Sequence, residues 1–167
     1  SSSSKFLQKI WNLNLLILNR TDVENDKKSS IKFEDKIEFF VYKIDKAING
    51  FQFNVAIAQF YEVYKVIKDH VDTSISNKIL SENLIKIMKL MIPFIPHLAH
   101  ECLELHKCEN TNNWPKVDKK ILPEEIKLAV QINGKTRDII TVGKDLNQKD
   151  INDIIHNQSK AKKFLEE

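Results

Sequence analysis

The apolar residues of this chain recur with two different periods, and the change falls around Trp114-Pro115. Ahead of it, large apolar side chains return every three or four residues, the spacing that lines them up on one side of a helix. Phe6, Ile10, Leu13 and Ile17 define a first helix over Lys5–Leu18. Polar, mixed-charge Asn19–Ser30 reads as a surface loop. Ile37, Phe40, Val41, Ile44 and Ile48 form the stripe of a second helix over Lys32–Asn49, closed by Gly50 as a left-handed cap. The third spans Val55–Asp69, with Asn54 as N-cap and Ile57, Tyr61, Tyr64 and Lys68 sharing a face. The fourth, Asn77–Ile92, turns Leu80, Leu84, Ile87, Met88 and Met91 inward and Lys78, Lys86 and Lys89 outward. Pro93 ends it, having no N–H to donate, and Pro96 opens a short helix that reaches Lys107.

After Pro123 the period becomes two. Ile126, Leu128, Val130 and Ile132 alternate with Lys127, Ala129, Gln131 and Asn133, and Lys135–Val142 is the partner strand across an Asn133-Gly134 turn. A plain two-residue loop would pair Ile132 with Lys135 and set Val130 beside Arg137, mixing polar and apolar faces. The expected arrangement is therefore a bulge with Gly134 left-handed, pairing Gln131 with Lys135. Ile126, Leu128, Val130, Thr136, Ile140 and Val142 then share one side with Asp138 near its edge, and Lys127, Gln131, Lys135 and Arg137 the other. Asn147 caps a helix bearing Ile151, Ile154 and Ile155, and a last helical stretch carries Phe164 and Leu165. The expected fold is mainly α: an antiparallel helical bundle over residues 1–109, a linker over 110–124, and a small α+β unit of a β-hairpin plus helices over 125–167.

Composition excludes several classes of function. The 167 residues, 42% apolar and 29% charged, suffice for one domain or two small ones. The richest apolar run, Leu13–Leu18, is broken by Asn14, so no membrane span is expected. Cys102 and Cys108 are too few for a disulfide framework, which makes the cytosol the default compartment. Three glycines, Gly50, Gly134 and Gly143, cannot build a P-loop or a dinucleotide-binding turn, and no serine sits in a G-x-S-x-G elbow. His97, His100, Glu101, Cys102, His106 and Cys108 are the densest set of potential metal ligands. They contain no CxxC pair, and HLAHE fits neither order of the zinc-protease helix. Partly buried histidines and surface carboxylates are the preferred reading, with no catalytic residue, metal or cofactor expected.

Basic surfaces remain. With 26 basic against 23 acidic residues, net +3, any RNA-binding surface must be local. Arg20 and Arg137 are the only arginines, so bidentate phosphate recognition is scarce here. The candidate clusters are Lys5 and Lys9 in an acid-free first twenty residues, Lys78, Lys86 and Lys89 on one helix, and Lys127, Lys135 and Arg137 on one strand face. Trp11, Tyr61 and Tyr64 read as core packing rather than base stacking.

Two segments go beyond pattern. MIPFIPHLAHECLEL (Met91–Leu105), then Trp114-Pro115-Lys116-Val117-Asp118 and VQINGKTRDIITV (Val130–Val142), resembles the carboxy-terminal part of bacterial-type leucyl-tRNA synthetases in order and spacing. KFLQKIWNL (Lys5–Leu13) and FQFNVAIA (Phe51–Ala58) are similar to helices of that family's anticodon-binding-type bundle. Lys9 and Asn12 stand where the family usually has arginine, and the candidate RNA-binding set is Lys5, Lys9, Asn12, Lys86, Lys89, Lys127, Lys135 and Arg137. The resemblance implies a class I ligase that uses ATP with magnesium to join leucine to leucine tRNA. The nucleotide signatures and editing domain of such an enzyme have no counterpart here, so it also implies a fragment without cofactors of its own. Its implied partners are leucine tRNA and the catalytic and editing domains of the same parent chain, in a cytoplasmic monomer away from membranes. The family continues into further apolar strands, which implies an uncovered sheet edge. The alternatives are a helical protein-interaction module and the equivalent region of an isoleucine or valine enzyme. One concave stripe of Lys5, Lys9, Lys86, Lys135 and Arg137 would favour RNA; scattering among carboxylates would favour the interaction module.

Overall fold

The structure, a computed structural model, describes residues 2–117, 125–132, 135–143 and 148–158. Among them are six helices and two strands: α1 Ser2–Asn19, α2 Lys27–Asn49, α3 Phe53–His70, α4 Asn77–Met91, α5 Pro96–Leu105, β1 Glu125–Ile132, β2 Lys135–Gly143 and α6 Gln148–Gln158. The chain divides into two compact units, Ser1–Ile121 and Leu122–Glu167. The mainly helical architecture with one small antiparallel sheet matches expectation.

In the first unit the apolar stripes meet in one core. Ile10, Leu13 and Ile17 of α1, Phe33, Ile37, Val41 and Ile44 of α2, Phe60, Val63 and Ile67 of α3, and Leu80, Leu84, Ile87 and Met88 of α4 are buried together. α2 packs on α3 and α4, while α1 packs on α4 and α5.

Helix ends depart from expectation in instructive ways. α2 starts at Lys27, five residues earlier than its stripe suggested, because Asp26 accepts the N–H of Ser29 and serves as N-cap. Asn54 is not a cap: α3 begins at Phe53, and Gln52 at the cap position makes no side-chain cap bond. Gly50 is not left-handed, with φ −88°; Phe51 is, at φ 55°. The Phe51 N–H donates to Ile48 and the Gln52 N–H to Ala47, the paired bonds of a Schellman motif whose left-handed residue follows Gly50. α5 ends at Leu105, short of Lys107, in the same way: left-handed Lys107, at φ 54°, donates to Glu104, and Cys108 to Leu103.

The third helix buries a different face from the one expected. Ala56, Phe60, Val63 and Ile67 point inward, leaving Ile57 and Tyr61 44% and 41% exposed. Tyr61 nevertheless stacks on Phe6 at 3.9 Å between ring centres, and Tyr64 meets the same ring edge-on at 5.9 Å. Half-buried Phe6, Trp11 and Tyr64 pack against the core, whereas Tyr61, expected there too, stays exposed on the Phe6 ring.

A buried polar junction joins three helices. Asn14, fully buried in α1, donates through Nδ2 to the Ile10 carbonyl at 2.8 Å and to Met88 Sδ of α4 at 3.6 Å. Its Oδ1 lies 3.0 Å from His106 Nε2. With Asn14 Oδ1 the acceptor, His106 carries its proton on Nε2, and its buried Nδ1 has no partner in the structure. Burial pushes the His106 pKa below its ordinary 6.5, since charging the ring would bury an unpaired cation. The unfolded chain then takes up a proton that the folded chain refuses. Stability is present above the ordinary pKa and falls as pH drops from 6.5 to the lowered native value, by at most about 1.4 kcal/mol per pH unit. Urea midpoints of the wild type and His106→Gln across that window are expected to converge as pH falls; a parallel pH dependence would contradict this role.

Residues past α5 return to the bundle. Trp114 Nε1 donates to Asp45 Oδ1 of α2 at 2.7 Å, and half-buried Val117 packs against the core.

In the second unit, β1 and β2 pair in a register that combines both geometries considered for the turn. Ile132 pairs with Lys135 and Gln131 with Thr136, as in a two-residue connection; the ladder then shifts between Val130 and Gln131, so that Val130 faces Asp138, Leu128 faces Ile140 and Ile126 faces Val142. The irregularity sits in the strands, at Arg137, rather than between Gln131 and Lys135. Parity is restored beyond it, which is why Val130, Ile140 and Val142 are buried together against Leu128, Ile151, Ile154 and Ile155. Thr136 leaves that side: it is exposed and sits opposite Gln131, whose Nε2 approaches its Oγ1 at 3.5 Å. The readings of Asn133-Gly134, Asn147, Phe164 and Leu165 lie outside the described residues. Among the described residues no helix is long and apolar enough to cross a membrane.

Candidate nucleic-acid interface

The basic residues singled out from sequence separate into different circumstances. Lys5 and Lys9 are exposed on α1, one turn apart and to one side of the buried stripe of Ile10, Leu13 and Ile17. Asn12 continues that ridge, its Oδ1 accepting from Gln8 Nε2 at 3.1 Å. No ion pair among the described residues involves either lysine. Lys86 is not free: its Nζ forms an ion pair with Glu38, binding α4 to α2 with Glu38 mostly buried. Lys89, one turn on, is half-buried. Lys78 faces Glu82 at 3.9 Å in an exposed pair that contributes little.

The expected strand face also divides. Lys127 pairs with Thr141, whereas Lys135 stands opposite Ile132, one position away from Gln131. Cross-strand partners share a face, so Lys135 leaves the side occupied by Gln131 and Thr136. Lys135 and Arg137 are both exposed. Lys5, Lys9, Lys86 and Lys89 belong to the first unit, and Lys127, Lys135 and Arg137 to the second.

Arg20 lies outside this surface altogether. Its Nη1 donates to the Ile75 carbonyl at 2.7 Å and to Asn77 Oδ1 at 2.8 Å, while Nη2 donates to the Thr73 carbonyl at 2.7 Å. The loop expected to be merely a solvated surface segment is thereby fastened to the α3–α4 connection. Asn77 Nδ2 returns a bond to the Arg20 carbonyl at 2.7 Å, the Asp26 N–H donates to Ser74, and Asn25 Oδ1 accepts the Ser76 N–H. Asp22 Oδ1 accepts the N–H groups of Asn77 and Val23. These two donors, Asn77 first, together with the charge of Arg20, hold the Asp22 carboxyl below the usual carboxylate range. The Ser29 hydroxyl and N–H do the same for Asp26. The only sequence signal was the density of Asx residues in NRTDVEND, which matches a capping and turn composition but names no partner.

Sequence reasoning also passed over Lys43, whose Nζ lies 4.8 Å from the Phe39 ring centre and 4.5 Å from that of Phe40. Partial burial lowers its pKa, against the charge of Glu62. Cys102 is buried, and burial with the nearby Glu101 charge pushes its thiol up to about 11, which removes nucleophilic character. Among the described residues no three His, Cys, Asp or Glu side chains are grouped to hold a metal ion.

The described residues thus form a helical bundle with an exposed basic ridge and a small two-stranded sheet unit. Residues 32–152 match the family described as the anticodon-binding domain of tRNA ligase, and the chain belongs to that family. It is similar to the leucine–tRNA ligase of Fervidobacterium nodosum, 33% identical over 177 residues, which cover 98% of this chain and 21% of that protein. The leucine–tRNA ligase of Thermotoga maritima is 28% identical over 179 residues, covering 97% of this chain and 22% of the relative. This chain thus spans about a fifth of the length of these curated relatives. Among solved structures, LeuRS in the ternary complex of Agrobacterium radiobacter K84 agnB2 LeuRS, tRNA and LeuAMS shares the fold. It superposes with a TM-score of 0.60 over 99% of this chain and 22% of that one, at 23% identity.

Proposed function

We propose that this chain is the tRNA-binding portion of a leucine–tRNA ligase, holding leucine tRNA for aminoacylation by a catalytic domain carried on other parts of a longer chain. Family membership supports the class of function, and the exposed ridge of Lys5 and Lys9, which have no ion pair among the described residues, is the observation that carries the contact. Residues 1–109 act as the bundle, 110–124 as connection and 125–167 as the small tRNA-facing unit, in a cytoplasmic monomer. Asn12, Lys89, Lys127, Lys135 and Arg137 extend the contact surface, while Lys86 serves chiefly to hold α2 against α4. Catalytic and editing domains of the same parent chain are the protein partners, and ATP with magnesium acts there.

Lysines facing a polyanion work as point charges that release condensed counterions, so recognition follows shape and phosphate position more than base identity. Neutralising three or four phosphates gives an affinity that falls with salt at a logarithmic slope of roughly two to four. Fluorescence anisotropy of labelled leucine tRNA and an unrelated tRNA, titrated at several salt concentrations, tests this. Lys5→Ala with Lys9→Ala is expected to lower the slope by about one to two and leave the melting temperature unchanged. Salt-independent binding, or equal loss of stability and binding, would overturn the reading; absence of binding at low salt would favour a protein-docking module.

A further inference from the structure

A cleft of about 370 Å³ opens between the start of α2 and the end of α3, lined by Ser29, Lys32, Asp35, Lys36, His70 and Thr73. Lys32 and Lys36 are one turn apart on α2, both exposed, and among the described residues neither has an ion-pair or hydrogen-bond partner. The imidazole beside them is fixed from two directions. His70 Nδ1 lies 2.7 Å from the Val66 carbonyl, so it donates there, and the ring rests on buried Phe33 with centres 5.0 Å apart. Its remaining nitrogen, Nε2, has no hydrogen-bond partner among the described residues. The floor is held as well: Thr73 Oγ1 donates to the His70 carbonyl at 2.6 Å, and the Thr73 carbonyl is bound by Arg20.

We propose that this cleft receives a backbone phosphate of the tRNA, held by the Lys32 and Lys36 ammonium groups with His70 as the orienting wall. The inference rests on the tRNA-binding reading and adds to it a contact on α2 that none of the basic clusters named from sequence includes. The helix end itself does not bind the anion, because Asp26 already takes the Ser29 N–H and hydroxyl. Two flexible ammonium donors against one lining carboxylate, Asp35, give a net positive, shallow site suited to a phosphodiester approaching from outside. It makes no demand on base identity.

The charge arrangement predicts changes of opposite sign. In the full chain, Lys32→Ala with Lys36→Ala is expected to weaken leucine-tRNA binding about tenfold at low salt and to lower the salt slope by about one. Asp35→Asn is expected to tighten it about threefold by removing the repulsive carboxylate. Equal loss of charge outside the cleft, Lys65→Gln with Lys116→Gln, separates local contact from net charge and is expected to change the slope little. Melting curves of all variants should coincide with wild type. If the wild type binds tRNA but the Lys32/Lys36 variant matches it or the Lys65/Lys116 control, the cleft is not a contact, and the wider reading stands. If the wild type itself binds no tRNA at low salt, the tRNA reading fails and this contact with it.

Discussion

Replacing Arg20 by alanine is expected to destabilise the helical unit by about 3 kcal/mol, since a hydrogen bond from a charged donor contributes roughly 1.5–3 kcal/mol and three such bonds on one group are not additive. The guanidinium reaches two carbonyls, of Thr73 and Ile75 in the short connection between α3 and α4, and the side chain of Asn77, the first residue of α4. Without it those carbonyls lose their donor, and the Asn77 bond back to the Arg20 carbonyl loses its reciprocal partner. Arg20→Lys should recover only part of the loss, because one ammonium cannot span three acceptors held by a planar fork. Urea denaturation followed by helical circular dichroism reads both variants. A loss below about 0.5 kcal/mol for Arg20→Ala, the range of an ordinary surface change, would mean that the clasp is decorative. The clasp should also weaken in acid: Asp22 and Asp26 have depressed pKa values in the folded chain. Their stabilisation is present above the ordinary carboxylate range and is lost as pH falls through the lower folded values.

Phe33→Ala should be costlier still, about 3–5 kcal/mol, the range for truncating a buried aromatic. Phe33 is completely buried in α2 and is among the largest fully enclosed side chains of the core. The void would open beneath His70, whose ring lies 5.0 Å away, between two helices that pack closely along their length. Phe33→Leu keeps most of the apolar volume and is expected to cost less than about 1.5 kcal/mol. The pair is useful because Phe33→Leu should fold while leaving His70 less firmly seated. Denaturation midpoints order the three proteins; an alanine variant as stable as the leucine variant would show that the bundle closes over the space.

How much of this was legible differs from one helix to the next. The stripes of α1, α2 and α4 were, because Ile, Leu and Met at three- and four-residue spacing leave only one face that can be buried. α3 was not, because apolar residues surround much of it: Ile57 and Tyr61 compete with Ala56, Phe60, Val63 and Ile67, and only the neighbouring helices choose between the two faces. Caps failed for a related reason. Asn54 and Asp26 both have capping chemistry, but Asp26 is positioned by its own N–H donating to Ser74, far along the chain. Gly50 identified the right helix end and the wrong residue, since the Schellman bonds to Ala47 and Ile48 place the left-handed conformation on Phe51. Of the candidate contact residues, Lys86 illustrates the limit most plainly: its exposed-looking place on α4 carried no hint of Glu38, 48 residues earlier.

The sequence by itself determined the succession of helices, the strand pair and the absence of nucleotide-binding glycine motifs, all of them properties of short-range periodicity and local composition. Together with its motifs it determined the resemblance that the family match bears out. Tertiary structure decided which polar side chains are occupied and which are left to meet a partner. Arg20 finds its acceptors 53 to 57 residues away, and Asn14 finds His106 at a separation of 92. A buried donor is satisfied by whatever acceptor the packed helices bring within about 3 Å, and that proximity is set by the burial of the apolar stripes rather than by anything written beside the donor.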